Sequence, residues 1–297
     1  MSIGHPQRPQ VALESTIYAF GLPYPKNVEL GWKLASAIHA TGAEPKTFAV
    51  IKGAIKVGLH DDELELIARA DDVLKLNAAD LGPAMSKGLT GATCVSATCA
   101  LAHGSGIKVF ATGGIGGVHR DVVHSYDESQ DLWALSRYPT AVVSAGAKAI
   151  LDLPKTLERL ETWGVPVIGY QTDAFPAFYT RDSGLKVQHQ VDDPQAMARL
   201  LLAHWRMHPS VGVLVVNPVP KEFALDEKLV GEAIERALKN AKKEGVFGKA
   251  LTPYLLAQLD EITGGESVKT NVALAENNAR LGGEIAMALA ALEEARS

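Results

Sequence analysis

Short β-branched apolar runs, separated by longer amphipathic stretches, limit most strongly what this chain can fold into. Val11-Ala12-Leu13, Thr47 to Ile51, Val73 to Leu76, Ile107 to Ala111, Ala141-Val142-Val143, Val165 to Gly169 and Val211 to Val216 each read as a strand, that at 141–143 as a buried one. Helical patterns lie between them. Asn27 is placed to cap a helix with Val28, Trp32, Ala35 and Ile38 at helical spacing, stopping at Gly42. Asp61 to Ala70 has the acidic first turn that a helix dipole favours. Thr90 to His103 reads as a small-residue helix opened by Gly91-Ala92-Thr93. Ser125 to Leu135 reads as a helix carrying Asp127 and Asp131 on one face. Lys155 to Trp163 is a further helix, and Asp193-Pro194 starts another with proline in its first position. From Asp226 on the chain is nearly all helical, with breaks at Gly245–Gly248 and Gly264–Gly265. Such alternation predicts an α/β fold with a largely parallel sheet covered on both faces.

The 297 residues, 47% hydrophobic, suffice for a large core. No internal repeat or linker interrupts the pattern, so a single domain over 11–297 is expected after a flexible segment, 1–10. Basic residues number 29 against 34 acidic ones, and no stretch is strongly basic, which argues against nucleic acid as a partner. The densest basic run, Lys239 to Lys243, suits the C-terminus of a helix. Cys94 and Cys99 form neither a redox pair nor a zinc pattern. The first ten residues lack an apolar leader core, and no apolar run is long enough to span a bilayer. A soluble cytoplasmic protein with no membrane partner is expected.

Polar and glycine-rich segments recur at or just beyond the strand ends: Glu14, Lys75, Thr112 to His119, Lys148 and Asn217. Ligands of open α/β sheets bind beyond the carboxyl ends of strands, so these groups point to one composite site. In Ser144-Ala145-Gly146-Ala147-Lys148, one long side chain rises from a floor of small residues. A lysine there is either a surface residue opening a helix or an amine nucleophile, whose reactive neutral form apolar neighbours favour. Thr112 to His119, with four glycines, is either a tight turn or a nest of amides for a phosphate that Lys75 could also meet. It matches neither the dinucleotide fingerprint nor a P-loop. Asp127 and Asp131 are either a solvated face or a site for a hard cation such as Mg²⁺ or Mn²⁺. Glu14 could serve as an acid/base group. These parts suit Schiff-base chemistry on a phosphorylated sugar that opens to an aldehyde.

Beyond these readings, ALEST at 12–16, FATGGIGGVHR at 110–120, Asp127-x-Ser129-x-Asp131, SAGAKAILDLP at 144–154, GVPVIGYQT at 164–172, NPVP at 217–220 and KTNVALAENNARL at 269–281 resemble the pseudouridine-5′-phosphate glycosidase family. That family also includes proteins named after indigoidine biosynthesis. The resemblance implies a three-layer α/β/α sandwich with a mixed, mainly parallel sheet, and a homotrimer. It implies reversible cleavage of the C–C glycosidic bond of pseudouridine 5′-phosphate to uracil and ribose 5-phosphate, through an imine on ring-opened ribose. Carried over by motif, Lys148 is the nucleophile and Glu14 the proton donor. Lys75, Val95, Thr112, His119, Ser129, Gln130 and Asp131 surround the phosphosugar, with Asn271 near the uracil. Mn²⁺, or another divalent cation, is assigned to Asp127, with Asp131 as the competing ligand.

One departure stands out. Where relatives often carry a histidine, this chain has Ala19-Phe20-Gly21, which leaves room for an aromatic acceptor other than uracil, as in a C-glycosynthase. An aldolase-type lyase using Lys148 and a non-catalytic phosphosugar binder are the remaining alternatives.

Overall fold

The computed structural model describes residues 8–246 and 251–295. The expected flexible segment 1–10 therefore falls mostly outside the described residues, as does Gly248 of the expected helix break. In chain order the elements are β1 (Gln10–Leu13), α1 (Thr16–Phe20), α2 (Lys26–His39), β2 (Glu44–Ile51), β3 (Ala54–Val57), α3 (Asp61–Arg69), β4 (Leu74–Leu76) and α4 (Leu81–Ser86). There follow β5 (Gly91–Thr93), α5 (Val95–Gly104), β6 (Val109–Ala111), α6 (Val122–Ser125), α7 (Gln130–Leu135), β7 (Ala141–Ser144), α8 (Leu153–Thr162) and β8 (Val167–Tyr170). The chain closes with β9 (His189–Val191), α9 (Pro194–Met207), β10 (Val213–Val216), α10 (Glu227–Glu244), α11 (Leu251–Thr263) and α12 (Glu266–Glu294).

Among the described residues the strands form one sheet in the order β4-β5-β2-β1-β6-β7-β10-β8-β9, with β3 also paired to β2. All pairings are parallel except β2 with β3 and β2 with β5. Side chains alternate across it. Val11, Val109 and Ala111 meet the close face of α12 at Gly282, where a Cβ would lie 3.2 Å from Ala111. Helices α2 and α9 flank α12 on that side, while α5, with α7 against it, packs on β1, β5 and β6. The result is the expected three-layer α/β/α sandwich with a mixed, mainly parallel sheet. Ala12, Phe110, Val142 and Leu214 are fully buried at its centre. No helix among the described residues is long and apolar enough to cross a membrane.

The long strand β2 positions the site. Its first half pairs parallel to β1 through Glu44–Thr47; its second half pairs antiparallel to β5 at Ala49 and Val50. The carboxyl ends of β1 and β5 therefore approach each other over the middle of β2. There the Thr93 amide donates to Ser15 Oγ at 2.9 Å, and the Thr93 hydroxyl to the Phe48 carbonyl at 2.8 Å. Two groups of strands running in opposite directions thus end at the same place.

Several local expectations are corrected. Gly91-Ala92-Thr93 is strand β5, not the opening of a helix; a Cβ on Gly91 would lie 2.5 Å from Leu76, so the strand needs the bare backbone. Asn27 lies inside α2 rather than capping it, and its amide instead donates to the Tyr18 and Ala68 carbonyls at 2.7 and 3.0 Å, binding α1 and α3 to α2. Trp32, read as part of the buried stripe, is 54% exposed. The helix expected over Ser125–Leu135 is only Gln130–Leu135: Tyr126 at φ 53° ends α6, and Ser129 caps α7 by accepting the Asp131 amide. Strands β3 and β9 had no expected counterpart. The basic run does end a helix, with Gly245 at φ 67° closing α10.

Candidate active site

Lys148 owes its place to lacing between two segments beyond β6 and β7. The Ala145 amide donates to the Gly113 carbonyl at 2.9 Å, Ile115 to Gly146 at 3.0 Å, and Lys148 to Ile115 at 3.1 Å. Gly146 bends the segment at φ +80°, and a Cβ there would lie 2.4 Å from the Pro176 carbonyl oxygen. Lys148 is thus fixed in a half-buried turn. The following helix starts only at Leu153, capped by Asp152, so the reading of Lys148 as a surface helix-opener is not met.

Glu14 directly follows β1. Its two oxygens each accept a hydroxyl, one from Thr112 after β6 and one from Thr16 in α1. Burial pushes this carboxyl above its ordinary range; the positive charge of Lys148 and the two hydroxyls pull it back only in part, and Asp131 adds to the rise.

Asp131 is buried and holds the walls together. One oxygen accepts the Ser96 amide of α5 at 2.9 Å, the other the Gly116 amide at 2.8 Å. The glycine-rich segment is therefore only partly open: among the described residues the amides of Gly113, Gly114 and Gly117 have no acceptor, and Gly113 and Gly114 line the pocket. The amides of Thr112, Ile115, Gly116, Val118 and His119 are all taken by internal partners: Val143, Gly146, Asp131, Thr156 and Asp127 respectively. Its glycines also serve close packing, since a Cβ on Gly114 would lie 2.5 Å from Phe178 and one on Gly116 2.3 Å from Ser129 Oγ.

The eleven residues carried over by motif all line one pocket of about 690 Å³: Lys148, Glu14, Lys75, Val95, Thr112, His119, Ser129, Gln130, Asp131, Asn271 and Asp127; Asn217, read as part of the same site, does not line it and is buried against Asn278. The structure divides them. Thr112, Ser129, Gln130 and Asp131 turn their polar atoms to protein partners; the Gln130 oxygen, for example, accepts the Ala79 amide at 3.2 Å. Among the described residues, the side chains of Lys75, Lys148 and Asn271 make no hydrogen bond or ion pair. His119 and Asp127 meet only at 3.8 Å, between Nδ1 and Oδ2. Burial, opposed by Asp127 and aided by Lys148 and Lys75, lowers the His119 imidazole and favours its neutral form. The groups left for a ligand are two lysine side chains, an imidazole, an amide and one carboxylate.

The donor set limits how a metal could be held. Among the described residues no three His, Cys, Asp or Glu side chains gather into a ligand cluster. Asp131 has both oxygens engaged, and Glu128 is paired with Arg159 at 2.5 Å. Asp127, 38% exposed at its side chain, is the carboxylate that would be left to meet a hard cation, which would then need water or a ligand's oxygens for its other positions. It lies in a loop, not on a helix face with Asp131 as expected.

Sequence reasoning passed over Thr16, Asn77, Cys94 and Phe178, which also line the pocket. It likewise missed Asn278, fully buried in α12, whose amide nitrogen donates to the Thr112 carbonyl at 2.8 Å and whose oxygen accepts Asn217 at 3.0 Å. Its one available signal was its place, beside Asn277, in the motif at 269–281. Cys94 and Cys99 are free thiols, and burial pushes that of Cys94 up to about 12, so it is no thiolate nucleophile.

A lysine amine, a buried carboxyl and a cationic pocket at strand ends define an α/β enzyme. The chain belongs to the family described as indigoidine synthase A like protein, whose model matches residues 3–288. It is 50% identical over 283 residues to a pseudouridine-5′-phosphate glycosidase of Caldanaerobacter subterraneus, covering 95% of this chain and 92% of that protein. It is 52% identical over 280 residues to one of Solibacter usitatus, covering 94% of each. Among solved structures, the prealnumycin C-glycosynthase AlnA in complex with ribulose 5-phosphate matches with a TM-score of 0.91 and 39% identity, over 98% of this chain and 94% of that one. An indigoidine synthase A-like protein of Thermotoga maritima matches at 0.88 and 36% identity, over 95% and 94%.

Proposed function

We propose that this enzyme reversibly cleaves the C–C glycosidic bond of pseudouridine 5′-phosphate to uracil and ribose 5-phosphate. The observation that carries the reading is the Lys148 amine, unpartnered among the described residues, sharing a pocket with Glu14, whose carboxyl burial holds toward its protonated form. The near full-length glycosidase relatives support it.

A base joined through carbon cannot leave by protonation of an oxygen or nitrogen at the glycosidic bond. In the proposed mechanism, written from ribose 5-phosphate, Lys148 Nζ attacks the C1 aldehyde of the opened sugar, and loss of water gives an imine that the uracil carbon attacks to form the C–C bond. In cleavage, with Lys148 Nζ joined to C1 in place of the ring oxygen, the nitrogen lone pair expels the base: the uracil carbon leaves with the electron pair of the broken bond, and the imine left at C1 is hydrolysed to ribose 5-phosphate. Glu14 delivers its proton to the uracil carbon that departs. Lys75 and His119 are proposed to hold the phosphate, and Asn271 the base edge. Asp127 would hold a divalent cation, for which Mn²⁺ is the ion to test; when bound it would offset the charge of the phosphate.

A second reading has a specific observation behind it. Phe20 lies at the pocket, 46% exposed, and one structural neighbour is a C-glycosynthase. The same machinery would then join ribose 5-phosphate to another aromatic acceptor. The test is to incubate the protein with ribose 5-phosphate, uracil and Mn²⁺ and to follow products by chromatography and mass. A nucleotide of the mass of pseudouridine 5′-phosphate is expected. A trapped sugar adduct without that nucleotide favours the second reading, and neither product nor adduct contradicts both.

A further inference from the structure

Thr16 makes one of the two side-chain hydrogen bonds to Glu14, and its hydroxyl has no other partner among the described residues. We propose that Thr16 is a positioning residue for the acid/base carboxyl: with Thr112 it grips the two oxygens of Glu14 separately and holds them in place as the proton comes and goes. The inference rests on the reading of Glu14 as proton donor to the departing base.

The grip comes from two sides of the pocket. Thr112 follows β6, while Thr16 is the first residue of α1. Helix α1 is itself fixed: the Ser15 carbonyl accepts the Tyr18 and Ala19 amides at 3.1 Å, and Ser15 Oγ accepts Thr93. Tyr18 is buried so closely on Gly31 that a Cβ there would lie 2.0 Å from its ring. Thr16 therefore presents its hydroxyl from a rigid base.

A hydroxyl can both donate and accept, and that is the chemistry this position needs. While Glu14 is ionised, both threonines donate to it. Once one oxygen carries a proton, the hydroxyl facing it can turn and accept, so the contact survives the change of state. A valine of the same shape can do neither.

The charged groups facing Glu14 are Lys148 and Asp131; Tyr18, Cys94 and Cys99 also lie near, and burial keeps them neutral. The Thr16 hydrogen bond favours ionised Glu14, so its loss moves the carboxyl further upward. Activity that requires protonated Glu14 would then persist to higher pH.

The test compares Thr16→Val and Thr16→Ser with the wild type in cleavage of pseudouridine 5′-phosphate across pH, alongside borohydride trapping of ribose 5-phosphate. For Thr16→Val the expected result is a kcat lower by about ten-fold with KM within about two-fold. Its alkaline limb should lie at higher pH, and sugar should be trapped to the wild-type extent, which shows an intact pocket. Thr16→Ser should restore kcat and the limb. An unmoved limb in Thr16→Val, or a serine variant as slow as the valine, overturns the proposal. A wild type that neither cleaves the nucleotide nor traps the sugar overturns the underlying reading instead.

Discussion

The backbone amide of Lys148 donates to the carbonyl of Ile115 at 3.1 Å, so the amine and the glycine-rich segment beyond β6 are one rigid unit. Asp131 extends that unit to the start of α5 through Gly116 and Ser96. The pocket's ligand-facing groups stand on this frame, and the frame can be tested apart from them.

Asp131→Asn keeps the shape but offers one acceptor where two buried amides need one each. The variant is expected to lose about 2 kcal/mol of stability, read as a lower urea midpoint at unchanged slope. Unchanged stability would mean that Asp131 does not hold the two walls.

At Gly146 both the φ of +80° and the Pro176 carbonyl oppose a side chain. Gly146→Ala should cost about 2–4 kcal/mol and remove activity, because relief of the strain moves the neighbouring Lys148. A stable, active alanine variant would refute this local account.

Much of this was legible in the sequence, for identifiable reasons. Buried strands are continuous apolar runs, so the polar groups that follow them stand out; Glu14, Thr112 and Lys148 were found that way. What depends on distant pairing was hidden. Gly91-Ala92-Thr93 has too little side chain to signal a strand, and its antiparallel pairing with β2 brings the β4 and β5 ends to the β1 end. The i, i+4 spacing of Asp127 and Asp131 is the same in a helix or a loop; Tyr126, in a left-handed conformation, made it a loop. Likewise, the partial closing of the glycine-rich segment was hidden, because the acceptors of the Gly116, Ile115 and Val118 amides are Asp131, Gly146 and Thr156, far along the chain.

Glu14 carries a pH signature. Its folded carboxyl holds a proton more tightly than the unfolded one, so it adds stability at low pH and loses it as pH rises through the raised value. Glu14→Gln removes the buried charge and should melt higher than the wild type near neutral pH. The gap should close below the ordinary carboxylate range, and turnover should fall by at least about 100-fold. A variant that melts lower at neutral pH would contradict an upward-shifted Glu14.

If Asp127 meets a cation shared with the phosphate, chelation should raise KM for ribose 5-phosphate, and Mn²⁺ should restore it. Asp127→Asn should mimic chelation and respond weakly to added Mn²⁺, with about a ten-fold effect in each case. Kinetics indifferent to both treatments would remove the cation from the account.

The central claim is that Lys148 is the nucleophile. The most direct measurement is borohydride reduction of the protein with ribose 5-phosphate, followed by peptide mass mapping, for wild type and Lys148→Arg. Arginine stays charged and cannot form the imine. The account predicts a reduced pentose phosphate adduct on Lys148 in the wild type, and a folded arginine variant with neither adduct nor turnover. An adduct on another lysine, or near-wild-type turnover by Lys148→Arg, would contradict it.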